Sequence, residues 1–78
     1  MNYSVFLLRD PQICGGELII RGTRVTVRTV LASLAEGATE QEILADFPTL
    51  TSEGLRAVIA FAAASAEEDL PLPPVPAI

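Results

Sequence analysis

Apolar residues stand in short contiguous runs near the start of the chain and at helical spacing beyond residue 26. Tyr3-Ser4-Val5-Phe6-Leu7-Leu8 reads as a short strand, stopped by Arg9-Asp10-Pro11, a turn with proline in a favoured position. Gly15-Gly16 is a second break, and Glu17-Leu18-Ile19-Ile20-Arg21 is a second extended run ended by Gly22. The two runs predict a hairpin with a long loop. A two-stranded hairpin is marginal in water, so it must pack on helices or on a second copy of itself.

Three helices follow, each with a start signal. Thr26 is an N-cap with Val25 and Val30 as a hydrophobic staple. Val27, Val30, Leu31 and Leu34 then recur at helical spacing until Gly37. Thr39-Glu40-Gln41-Glu42 matches the capping box, Ile43, Leu44 and Phe47 form the apolar face behind it, and Pro48 blocks continuation. Thr51 caps the third helix, with Leu50 and Leu55 as its staple and Leu55, Val58, Ile59, Ala62 and Ala63 as the expected core stripe. Ala57, Ala60, Phe61 and Ala64 project to another side. A helix apolar on two sides is buried on both, which marks those four residues as a candidate oligomer interface. From Glu67 the chain turns acidic and then proline-rich, and residues 70–78 favour an extended, polyproline-like conformation. The expected fold class is mainly α: a two-stranded β segment over 3–21 and a helix-turn-helix-like bundle with helices about 27–36, 40–46 and 52–66. Residues 1–66 form one domain, and 67–78 an extended Pro-rich tail.

Composition sharpens the picture in two ways. A chain of 78 residues buries only about 60% of its unfolded surface, yet half of these residues are hydrophobic. Apolar surface is left over for a partner, and a dimer is expected. The net charge of −5 is unevenly spread. Arg9, Arg21, Arg24 and Arg28 lie in the first 30 residues with Asp10 and Glu17, whereas Arg56 stands alone among eight acids beyond them. The N-terminal end is basic and the rest acidic, a polarity suited to two kinds of partner.

Enzyme chemistry finds little to work with. There is no histidine and no lysine, and no phosphate-binding glycine loop or nucleophile elbow. Cys14 cannot form an internal disulfide, has no histidine to activate it, and is expected as a small apolar filler. The carboxylates are not at metal-ligand spacing, so no metal or cofactor is expected and no catalytic residue is assigned. No apolar run reaches the ~20 residues of a membrane span, and the first residues lack a secretory pattern, so a cytoplasmic protein is expected.

The second and third helices, joined by a short turn, have helix-turn-helix proportions. A recognition helix would present Ser52, Glu53 and Arg56, of which only Arg56 attracts phosphate. Candidate DNA contacts are therefore Arg21, Arg24 and Arg28 near the first helix, with Arg56 in a lesser role. The alternative reading pairs these arginines with acids of the second helix, or across a dimer.

Asp10-Pro11-Gln12-Ile13-Cys14-Gly15-Gly16, Ile20-Arg21-Gly22-Thr23-Arg24-Val25, Gly37-Ala38-Thr39-Glu40-Gln41-Glu42-Ile43-Leu44 and Phe47-Pro48-Thr49-Leu50-Thr51 follow one another at set intervals. From about Val5 to Ala63 the chain resembles the bacterial family known as domain of unknown function 433. The Gly-Gly…Arg-Gly-Thr-Arg core carries most of the specificity. Leu18 and Thr26 depart from it, each standing where a proline is common, and Thr26 remains a competent cap. The resemblance implies a helix-turn-helix-like antitoxin paired with a PIN-like ribonuclease toxin, able also to repress its own operon. A nuclease site of that kind is a carboxylate cluster holding a divalent metal, which an antitoxin blocks sterically or with a cation. Glu67-Glu68-Asp69 is wrongly charged for that task, so steric cover by Leu70, Leu72, Val75 and Ile78 is the expected toxin contact. Two rivals remain: a DNA-binding regulator without a toxin, and a purely structural dimerisation module.

Overall fold

The computed structural model describes residues 2–69, and side chains as far as Glu67. Two strands, β1 (Leu7–Arg9) and β2 (Leu18–Ile20), form an antiparallel pair, followed by helices α1 (Val27–Ala35), α2 (Glu40–Asp46) and α3 (Ser52–Asp69). The mainly helical architecture with a β segment at its start is the one expected. The candidate toxin contacts Leu70, Leu72, Val75 and Ile78 lie outside the described residues.

The first strand is shorter than the apolar run implied. Tyr3–Val5 forms a 3-10 turn, closed by the Phe6 N–H donating to Tyr3 O at 3.0 Å. The cause is tertiary: the Tyr3 ring packs on Phe61 of α3 with centroids 5.8 Å apart, so these residues fold over α3 instead of extending the sheet. β1 then pairs with β2 in the register Leu7↔Ile20, Leu8↔Ile19, Arg9↔Leu18. The connecting segment turns twice. The Asp10 carboxylate accepts the Gln12 N–H at 2.9 Å, and Cys14, Gly15 and Gly16 all take positive φ. Glycine adopts that conformation without penalty, whereas Cys14 at φ 50° is the strained member.

All three expected caps form. Thr26 Oγ1 accepts the Thr29 N–H at 3.1 Å, and Thr51 Oγ1 accepts the Gly54 N–H at 3.0 Å. At α2 the capping box closes in both directions: Thr39 Oγ1 accepts from Glu42 N, and Glu42 accepts from Thr39 N at 3.0 Å. The Thr39 backbone bond, and then the bond with its hydroxyl, hold the Glu42 carboxyl below the ordinary glutamate range.

The core lies between the sheet and the helices. Val30, Ile43, Leu55, Ala57 and Val58 are fully buried, with Leu7, Ile20, Val27 and Leu50 around them. This corrects the expected phase of α3. Ile59 is 47% exposed and Ala63 is exposed, while Ala57, expected at an oligomer interface, is buried within the monomer. The buried stripe runs through Gly54, Val58 and Phe61, rotated by about a quarter turn from the expected one. Gly54 is the reason. A Cβ there would stand 3.1 Å from Ile20 Cγ2 and 3.3 Å from Leu50 Cδ1, so glycine lets α3 approach β2 closely and draws the seam to its own side. α3 also takes in residues 67–69, because glutamate is a good helix former and the first breaking proline is Pro71.

Candidate interaction surfaces

One side of α1 is left uncovered. Val27, Leu31 and Ala35 recur every four residues, with Ala32 beside them, and they form a wall facing Leu18 of β2 and Phe61 of α3. The result is an open groove of about 560 Å³, with Arg9, Glu17 and Arg28 at its rim. Val27 is buried in the floor, Leu31 and Phe61 are half-buried, and Ala32 and Ala35 are exposed. Arg28 pairs with Glu17 at 3.0 Å, its side chain 79% exposed, so the pair contributes little to stability and can open for a partner. Arg9 Nη1 donates to Gly16 O at 3.2 Å. Two cations and one anion therefore border an apolar trough.

The arginines named as candidate DNA contacts do not form one cluster. Arg21 is committed to the fold: its Nε–H donates to Val5 O at 2.9 Å and its backbone N–H to Phe6 O at 2.7 Å. Arg28 faces the groove and Glu17 instead of acids on α2. Arg24 opens onto a different concavity, bordered by Leu8, Asp10, Ile13, Ile19, Val25 and Thr49. It is exposed and makes no ion pair among the described residues. Arg56 sits with Ser52 and Glu53 on the exposed start of α3, where Glu53 offsets its charge. Of the residues named as an oligomer interface, Ala60, Phe61 and Ala64 are half-buried, and only Phe61 reaches the groove. Cys14 is exposed and no filler; its Sγ–H donates to Arg24 O at 3.3 Å, bracing the turn before α1.

Sequence reasoning missed Arg9 and Glu17 as rim residues, because their placement depends on strand register. A glycine inside a helical pattern was the available signal for Gly54, since such a glycine carries a cost unless close packing requires it.

No helix among the described residues is long and apolar enough to cross a membrane. Residues 8–62 match the family described as protein of unknown function DUF433. The chain belongs to the DUF433 family. The matched span contains every residue that borders the groove. The uncharacterized protein y4eO of Sinorhizobium fredii is 40% identical over 56 residues, 72% of this chain and 25% of that protein. The chain thus spans about a quarter of the curated relative it matches. A DUF433 member protein from Anabaena variabilis, solved by crystallography, superposes with a TM-score of 0.71 at 36% identity, covering 81% of this chain and 62% of that one.

Proposed function

We propose that this DUF433 protein is the antitoxin of a toxin–antitoxin pair and neutralises a PIN-like ribonuclease by direct binding. The observation that carries the reading is the uncovered trough between α1, β2 and α3. An apolar lining with a small number of charged groups at its edge is the usual make-up of a surface that meets another protein. Arg9 and Arg28 are cations at the rim, suited to the carboxylates that such a nuclease gathers around its metal. The trough serves as the anchor, and the Leu-Pro segment beyond Asp69 supplies steric cover.

The test is co-expression with the product of the adjacent gene: the reading requires that product to be a PIN-like ribonuclease whose growth arrest this chain relieves. Ala32→Glu places a carboxylate in the trough from an exposed helical position, so folding is preserved while docking is opposed. Wild-type protein rescues growth and Ala32→Glu does not. Equal rescue by both would exclude the trough as the anchor.

A second reading, operator binding, is favoured by Arg24, exposed and without an ion partner among the described residues. In that role DNA meets the loop before α1, not the start of α3, where Glu53 repels phosphate.

A further inference from the structure

The bond from Arg21 N–H to Phe6 O identifies Phe6 and Arg21 as a hydrogen-bonded pair, and antiparallel pairs alternate along a ladder. Leu8 and Ile19 are then the next such pair. Leu7 and Arg9 fall at the alternate positions, where backbone groups point away from the partner strand. The other side of β2 agrees, because Ile20 N–H turns away from β1 and donates to Val25 O at 3.0 Å. β1 therefore has a free edge. Among the described residues, the N–H and C=O groups of Leu7 and Arg9 have no hydrogen-bond partner. β2 is covered on its far side by the Ile19↔Thr26 bridge, so β1 is the open end of the sheet.

We propose that a second copy of this chain closes that edge, β1 against β1 in antiparallel fashion about a two-fold axis at Leu8. Only one register suits a second copy. Centred on Leu8, Leu7 of each copy exchanges both backbone hydrogen bonds with Arg9 of the other, and all the open groups are satisfied. Centred on Arg9, two guanidinium groups stand directly opposite each other, and the next open position is Pro11, which has no N–H. Centred on Leu7, Arg9 faces the 3-10 turn at Val5, whose carbonyl already accepts from Arg21. In the Leu8 register the half-buried Leu8 side chains meet across the axis as an apolar pair. The edge bears no lysine, internal proline or bulge; its short length and the charge of Arg9 weaken strand addition without blocking it. Strands of three residues bury a small area, so the dimer is weak and concentration-dependent. This inference stands apart from toxin binding, and its surface is not the side of α3 expected from the sequence.

Two experiments test it. In a Cys14→Ser background, Leu8→Cys puts cysteines at a non-hydrogen-bonded antiparallel position, where Cα atoms lie about 4.5 Å apart, within reach of a disulfide. In a glutathione redox buffer this variant becomes mainly covalent dimer, whereas Val5→Cys, exposed but off the axis, stays mainly monomer. Sedimentation equilibrium of Arg9→Pro, which removes an outward N–H, shows a dissociation constant raised at least about tenfold with the circular dichroism spectrum unchanged. Arg9→Ala, which keeps that N–H, dimerises like wild type. Equal cross-linking of Leu8→Cys and Val5→Cys overturns the proposal, as does a folded Arg9→Pro that dimerises normally. If Arg9→Pro unfolds, the cysteine pair decides alone.

Discussion

Gly54→Ala tests the close approach of α3 to β2. On helix propensity alone, alanine gains up to about 1 kcal/mol over glycine. Gly54 sits in the first turn, where that gain is reduced, and its N–H is already held by Thr51 Oγ1. Against the gain stands the new methyl group, 3.1 Å from Ile20 Cγ2, 3.3 Å from Leu50 Cδ1 and 3.4 Å from Thr51 Oγ1. Ile20 and Leu50 are 4% and 5% exposed, so neither can swing into solvent to make room. Overpacking of this kind costs about 1–3 kcal/mol, so the net effect is a loss of about 1 kcal/mol. In a domain of this size the Tm falls by about 4–8 °C. The mechanism is checked by a double-mutant cycle in urea. Ile20→Ala removes Cγ2, and in that background Gly54→Ala becomes neutral or stabilising. Phe61 lies two turns along the same stripe, so the displaced helix also widens the trough. A Gly54→Ala protein more stable than wild type, with no coupling to Ile20, would refute the close-packing account.

Thr39→Ala opens the capping box and lowers stability by about 1 kcal/mol, measured as a shift in urea midpoint. Glu42 has a depressed folded-state pKa, so its stabilisation is fully present above the unfolded glutamate value and is lost as pH falls through the folded one. Wild type should therefore lose urea midpoint on acidification below about pH 4.3 more steeply than Glu42→Gln, which keeps a neutral acceptor at the same place. In gel shifts over a range of salt, Arg24→Ala should weaken operator binding and reduce the salt slope by about one, while Arg56→Ala changes little; the reverse order would move DNA contact to α3. Deleting residues 70–78 leaves all three helices and their caps, so the circular dichroism spectrum should persist while rescue of growth weakens.

The caps were legible in the sequence because each is a local hydrogen bond set by spacing of three, as in Thr26 to Thr29 and Thr39 to Glu42. The hairpin was legible from its turn residues. Tyr3–Val5 was misread as strand because an uninterrupted apolar run has no period, and only its contact with α3 decides its conformation. The phase of α3 was misread because alanine marks no face, leaving Gly54 to set the seam through a contact with β2 that is distant in sequence. The trough was not legible as a site. Its wall is the local stripe Val27, Leu31 and Ala35, but its rim joins Arg9 and Glu17 to α1 through strand register and the fold. Arg21, named as a nucleic-acid contact, also braces the sheet to the turn before it, a role that spacing along the chain does not reveal.

The central claim is that this chain binds and silences a ribonuclease. The direct measurement is RNA cleavage by a purified PIN-like ribonuclease encoded beside this chain's gene, which the claim requires to exist, with its metal present, during titration with this protein. The account predicts that cleavage falls to background near equimolar protein, with co-elution of the two chains on gel filtration, and that Ala32→Glu shifts the inhibition curve to higher concentration. Undiminished cleavage at a tenfold excess, with the two proteins eluting separately, would contradict it.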